Sequence, residues 1–223
     1  MSDKNVDNNI IEYKFILVGD SSSGKQSFFK KITTDEFNKK NISTIGSDRR
    51  TLFFKDIEIE LNGIIKTENF NILLYDTAGQ ERYRAITKTY FKGSDVVILF
   101  YDITNRKSFE NIEVWLESIS QVLSNWKNSN YIIGLIGNKL DLVENSEKER
   151  QVTEEEAEKL CKEKEIIWSG EISTKEFSQE QLKEIVLNLW KLYIGKFGLK
   201  EAKEFKKIQG KHYMKKYKTK KGC

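Results

Sequence analysis

The stretch Tyr13-Lys14-Phe15-Ile16-Leu17-Val18-Gly19-Asp20-Ser21-Ser22-Ser23-Gly24-Lys25 decides the fold. Residues 13–18 are apolar apart from Lys14, the pattern of a buried strand, and they run directly into a cluster of small residues. Residues 28–32 continue as a helix. A strand, a Gly-rich turn of the form G-x-x-x-x-G-K and a helix together read as a phosphate-binding loop. The glycines let the backbone wrap so that successive N–H groups point at phosphate oxygens, backed by the helix N-terminus. Lys25 would neutralise the outer phosphates. The residues placed around the phosphates are Asp20, Ser21, Ser22, Ser23, Gly24, Lys25, Gln26 and Ser27. The competing reading is a Gly-rich turn with a chance lysine, and the position directly after a strand counts against it.

Beyond this loop, strand-like and helix-like segments alternate. Residues 51–61 carry an alternation at Ile57, Ile59 and Leu61, turn at Asn62-Gly63, and return as a strand over 70–75. Residues 95–101 and 131–136 are continuous apolar runs, as in central parallel strands covered on both faces. Helical periodicity fits 108–123, 154–164 and 179–196, with a short strand over 166–172 between the last two. No internal repeat is present. The pattern predicts an α/β fold: a doubly wound, mostly parallel sheet built from these six strands, with helices on both faces.

Composition narrows the class. The chain has 223 residues, 38% hydrophobic, with a mean hydropathy of −0.58. That is enough for one domain with a substantial core plus tails. The longest apolar run, residues 96–101, falls far short of the roughly 20 residues a membrane-spanning helix needs. The polar start MSDKNVDNNI lacks a hydrophobic signal segment, so a cytoplasmic protein is expected. Cys161 and Cys223 give no disulfide framework. Proline is absent, which we read as compositional bias without functional meaning. Of the net charge of +4, residues 196–223 contribute +9 through eleven lysines against Glu201 and Glu204, leaving −5 for the rest. A basic tail on a mildly acidic body points to an anionic membrane, and nothing in the body favours nucleic acid.

Two further motifs lie at strand ends. Asp76-Thr77-Ala78-Gly79-Gln80-Glu81 follows the strand ending at Tyr75. Asp76 there can hold Mg²⁺ through a water, the Gly79 N–H can meet a γ-phosphate, and Gln80 can orient an attacking water. The plainer alternative is a polar loop with a capping aspartate. Asn138-Lys139-Leu140-Asp141 follows residues 131–136. The Asp141 carboxylate can accept two hydrogen bonds from guanine N1–H and its 2-amino group, a donor pair adenine lacks. Asn138 and Lys139 would brace the loops around the base. Ser173, Thr174 and Lys175, after the strand 166–172, can supply backbone N–H groups to the guanine O6. Each tetrapeptide alone could be an ordinary loop. Together, in this order and at strand C-terminal ends, they define a guanine-nucleotide site.

With these residues in place, the chain resembles the Ras-superfamily small GTPases of the Rab type over residues 13–196. Further Rab-like stretches are Ser43-Thr44-Ile45-Gly46, Arg82-Tyr83-Arg84-Ala85-Ile86-Thr87, Tyr90-Phe91-Lys92-Gly93-Ser94 and Phe100-Tyr101-Asp102-Ile103-Thr104. The resemblance implies that Thr44, 19 residues after Lys25, reaches Mg²⁺ and the γ-phosphate, and that Phe37 packs on the guanine edge. It also implies that Gln80 is the catalytic residue. GTP and GDP would be the ligands, with Mg²⁺. The expected partners are an exchange factor, an activating protein, effectors, and a GDP-dissociation inhibitor or escort protein. A monomer would cycle between cytoplasm and the cytosolic face of an intracellular membrane in vesicle traffic. On this basis residues 1–10 are a disordered N-terminus, 11–197 a G domain and 198–223 a basic hypervariable tail.

Departures from the family pattern mark what is particular to this chain. The residue after the loop lysine should be Ser or Thr, whose hydroxyl ligates Mg²⁺; here it is Gln26. Its amide oxygen could ligate the metal directly, a water could bridge it, or Mg²⁺ could bind weakly. The last leads to the alternative of a guanine-nucleotide scaffold with impaired hydrolysis. An ATP-using phosphotransferase is disfavoured by Asp141. Ser23 replaces an apolar residue, Thr174 an alanine and Tyr75 a tryptophan. Thr44 and Asp76 are 32 residues apart, longer than in the family. The extra length is placed in the hairpin around residues 62–69, either as an inexpensive loop insertion or as a partner contact. The tail ends in Lys220-Lys221-Gly222-Cys223, with one cysteine where the family carries two or a C-a-a-X box. It reads either as a solvated lysine-rich tail or as a prenylation site at Cys223 beside a polybasic patch.

Overall fold

The structure is a computed structural model, described for residues 10–34, 47–77, 90–123, 130–199, 201–202 and 204. Within these lie β1 (Ile11–Gly19), α1 (Lys25–Thr34), β2 (Ser47–Leu61), β3 (Ile64–Thr77), β4 (Val96–Asp102) and α2 (Arg106–Ser120). There follow β5 (Ile132–Asn138), a short α3 (Leu140–Glu144), α4 (Glu154–Lys164), β6 (Ile167–Ile172) and α5 (Gln179–Phe197). The six strands form one sheet in the order β2-β3-β1-β4-β5-β6. Only β2 runs antiparallel to its neighbour. The doubly wound, mostly parallel reading of the sequence is therefore the observed architecture.

Alternation along β1 explains why both faces need helices. Tyr13, Phe15 and Leu17 join one buried cluster with residues of α1 and α5, while Ile16 and Val18 join another with residues of α2 and α4. Burial on both sides removes the apolar/polar alternation of a half-exposed strand, so β4 and β5 are apolar at nearly every position. On the first face Phe54 stacks on Phe70 and Phe70 on Trp190 of α5, with centroids 5.1 and 3.8 Å apart. Leu199 and Ala202, beyond the end of α5, are buried in the same cluster.

Residues 62–69, read from the sequence as the place of added length, are not a loop. Asn62 and Gly63, with φ of 54° and 76°, make a two-residue turn, and β2 pairs with β3 out to Leu61 opposite Ile64. Positive φ at both turn residues matches the right-handed twist of the flanking strands, which is why Asn-Gly serves there. A bulge between Phe54 and Ile57 places Asp56 at φ 54°, and Asn69 Oδ1 accepts the Asp56 N–H at 2.7 Å. The bulge returns Ile57 and Leu61 to the core side. Residues 64–69 are paired strand.

Four parallel strands, β1, β4, β5 and β6, together with the end of β3, deliver their C-terminal ends to one edge of the sheet. Among the described residues no helix is long and apolar enough to cross a membrane.

Candidate nucleotide-binding site

Gly19 ends β1 so close to β4 that a Cβ would stand 2.3 Å from the Phe100 carbonyl oxygen, and its φ is 141°. Only glycine fits there. The chain then winds through Ser22 at φ 64° and Gly24 at φ 98° before α1 begins. A Cβ on Gly24 would fall 1.9 Å from Asn138 Nδ2. Two glycines and a serine in the left-handed region thus wind the backbone tightly into the helix N-terminus. That is the concavity that suits an anion. Ser22 was read as a ligand, but its left-handed backbone carried no signal in the residue type; Ser adopts it at a cost that the surrounding packing must offset.

Lys25 is buried at the start of α1, and its ammonium donates to the Asp20 carbonyl at 2.7 Å and to Ser23 Oγ at 3.3 Å. Burial lowers its pKa to about 8, against the upward pull of the Asp76 and Asp20 carboxylates. A desolvated ammonium held over the loop is poised for phosphate. Ser23, in place of an apolar residue, is buried and adds a hydroxyl acceptor to this lysine. Gln26 and Ser27 follow on α1, half-buried, with Ser27 rotated by about 100° from Gln26.

At the end of β5, Asn138 ties three segments together. Its Nδ2 donates to the Ser23 carbonyl at 3.0 Å. Its Oδ1 accepts from the Lys139 N–H at 2.8 Å and from Thr174 N–H and Oγ1 at 3.2 and 3.0 Å. Asn138 therefore braces the phosphate loop against the loop after β6. Lys139 stands at φ 73° and pairs with Asp102 Oδ2 at 2.7 Å. Asp141, on α3, is buried; its Oδ1 accepts from Ser173 Oγ at 2.8 Å, and its Oδ2 lies 3.7 Å from Lys175 Nζ. Behind this loop, Arg150 holds Glu171 through both guanidinium nitrogens. The ion-pair partners of Asp102 and Glu171 were not legible in the sequence, because nothing local announces a partner 21 or more residues away.

Asp76 is buried at the end of β3, in register with Leu17 of β1, where its charge acts on Lys25. Among the described residues no group of three or more His, Cys, Asp or Glu is placed to hold a metal ion. Mg²⁺ in nucleotide sites is characteristically held by one or two carboxylates and the substrate phosphates, so Asp76 beside the phosphate loop is a donor set that fits it. The structure thus gathers Asp20, Ser21, Ser22, Ser23, Gly24, Lys25, Gln26, Asp76, Asn138, Lys139, Asp141, Ser173, Thr174 and Lys175 at the strand ends. Phe37, Thr44, Gly79, Gln80 and Cys223 lie outside the described residues.

Comparison with known proteins gives the lineage. The Ras family model matches residues 14–194. Ras-related protein Rab-13 of Rattus norvegicus is 40% identical over 154 residues, covering 69% of this chain and 68% of its own length. Ras-related protein Rab-8B of Homo sapiens is 40% identical over 149 residues, 67% of this chain and 64% of its own length. The matched family model and these relatives show that the chain belongs to the Ras family and is a small GTPase of the Rab type.

Proposed function

We propose that this chain is a GTP/GDP switch of vesicle traffic in which the loop 19–25 holds the phosphates and Asp141 selects guanine. The observation that carries this reading is the buried Asp141 carboxylate, fixed by Ser173 on the segment that Asn138 ties to the phosphate loop. A carboxylate so oriented rewards guanine and leaves adenine without a donor pair. Lys25 meets the outer phosphates, and Ser173, Thr174 and Lys175 offer main-chain N–H groups to the base. By the family resemblance Phe37 would pack on the base edge, Thr44 and Gly79 would respond to the γ-phosphate, and Gln80 would orient the attacking water. Mg²⁺ would supply charge neutralisation at the phosphates, held by Thr44 and by Asp76 through a water, with Gln26 standing where the family's hydroxyl ligand would be. The Rab relatives do not favour the reading as a guanine-nucleotide scaffold with weak Mg²⁺ binding and impaired hydrolysis. Exchange factor, activating protein, effectors and a GDP-dissociation inhibitor or escort protein would act on this cycle. The lysine-rich tail with a prenyl group on Cys223 would hold the protein at a membrane.

Competition of GTP, GDP and ATP against a fluorescent GDP tests the base choice. ATP should compete poorly, and Asp141→Ala should weaken GDP by about 100-fold or more, the loss of two hydrogen bonds to a charged acceptor. Equal competition by ATP would refute the assignment. In single-turnover assays Gln80→Ala should slow hydrolysis, and an unchanged rate would remove Gln80 from its role. Cell fractionation of Cys223→Ser should move the protein to the soluble fraction, and undiminished membrane association would count against the lipid.

A further inference from the structure

The side chain of Asp20 does something the nucleotide-site motif does not require. Its main-chain carbonyl faces inward and accepts Lys25 Nζ at 2.7 Å and the Ser23 N–H at 3.3 Å. Its carboxylate points away, to α2. Asn111 Nδ2 donates to Oδ2 at 2.5 Å, and Trp115 Nε1 donates to Oδ1 at 2.8 Å. Asn111 and Trp115 are four residues apart and so share one face of the helix. Trp115 is fully buried among Ile112, Leu116 and Ile119, so the indole N–H is held in place by core packing. The two contacts span 91 and 95 residues of sequence and use both carboxylate oxygens.

We propose that Asp20 is a positioning residue: its carboxylate is a strut, held by Asn111 and Trp115, that anchors the phosphate loop to α2 and thereby slows nucleotide release without touching the nucleotide. The loop needs such an anchor. Its backbone holds Ser22 in the left-handed region, a conformation that persists only where surroundings over-determine it. From the other side the Asn138 amide already holds the Ser23 carbonyl. Asp20 and Asn138 fix the loop from two flanks, α2 and the end of β5. Both donors to Asp20 are neutral, so they orient the carboxylate and leave its charge in place. Geometry and charge are therefore separable by substitution. This inference rests on the reading of the loop as a nucleotide site.

The experiment is stopped-flow release of fluorescent GDP from the full chain in Asp20→Ala, Asp20→Asn, Asn111→Ala and the Asp20→Ala/Asn111→Ala double variant. Asn111→Ala should accelerate release on the order of tenfold, as expected for one hydrogen bond to a charged group, and Asp20→Ala, which loses both hydrogen bonds, by more. The double variant should release no faster than Asp20→Ala, because the two residues act through one contact. Asp20→Asn keeps an oxygen for the indole and removes a negative charge near the phosphates, so its release should be no faster than wild type. The Trp115 indole ¹H–¹⁵N resonance, assigned with Trp115→Phe, should shift in Asp20→Ala. Release unchanged within about twofold in Asp20→Ala would overturn the strut, as would full additivity in the double variant. An Asp20→Asn rate equal to that of Asp20→Ala would show that an oxygen facing the indole does not hold the loop, and would also overturn it. Wild-type protein that binds no GDP would bring down the nucleotide reading itself, whereas normal wild-type binding with unaffected variants removes only the strut.

Discussion

At the scale of single residues, the site is decided by what cannot be substituted. Gly24 admits no side chain because Asn138 occupies that space, and Lys25 is in place because burial and two neighbouring acceptors leave its ammonium one direction to act. Gln26 is the exception. Its amide oxygen is a hard donor, but it sits at the end of a longer stem than the family's serine hydroxyl, and Ser27 faces elsewhere on the helix. Gln26→Ser is expected to raise Mg²⁺ affinity about tenfold or more, within the range seen when a metal's surroundings are repaired. Titrating GDP release against Mg²⁺ and EDTA checks this. An unchanged Mg²⁺ midpoint would show that Gln26 already serves as well as serine. Ser22 was legible as a loop residue but not as a left-handed one, since nothing in serine announces a positive φ.

At the scale of elements, boundaries were set by local chemistry that spacing alone resolved to within a few residues. Helix α4 starts at Glu154 because Thr153 accepts the Glu156 N–H while the Glu156 carboxylate takes the Thr153 N–H. The same reciprocal arrangement at Ser178 and Gln181 starts α5. Thr153→Ala should destabilise the protein by about 1 kcal/mol, a fall of about 2–4 °C in Tm for a chain of this length. Differential scanning calorimetry checks it, and no shift would mean that the cap is redundant with packing of Ala157 and Cys161. The β2–β3 hairpin taught the opposite lesson. Its Asn62-Gly63 turn was plain in the sequence, yet the extra length placed around residues 62–69 had two readings, a loop insertion or a partner contact. Residues 64–69 are strand because β2 pairs with them, a partner that local sequence does not display.

At the scale of the whole molecule, two buried clusters lie on either side of one sheet. Cys161 belongs to the core beneath α4 and carries a testable consequence of burial. Desolvation, with a smaller push from Glu158, raises its thiol from about 9 to about 12. A raised pKa means that the folded state keeps a proton the unfolded chain has released. The stabilisation is complete below pH 9 and is lost as pH climbs from 9 toward 12. In the native protein at pH 8, iodoacetamide should leave Cys161 unmodified, with modification appearing only on unfolding in urea, as peptide mapping by mass spectrometry would show. Rapid native alkylation would mean that α4 opens locally.

By itself the sequence determined the α/β class and pointed to a phosphate loop at Gly19 and to a guanine-reading carboxylate at Asp141. Each rests on short-range facts: an apolar run, glycine spacing, and a carboxylate after a strand. Only the tertiary structure decided how these pieces hold one another. The Asn138 bridge from Ser23 to Thr174, the Lys139–Asp102 pair and the grip of α2 on Asp20 join residues far apart in sequence. Their side chains are ordinary until parallel strands bring their C-terminal ends to a common edge, and that convergence is a property of the sheet.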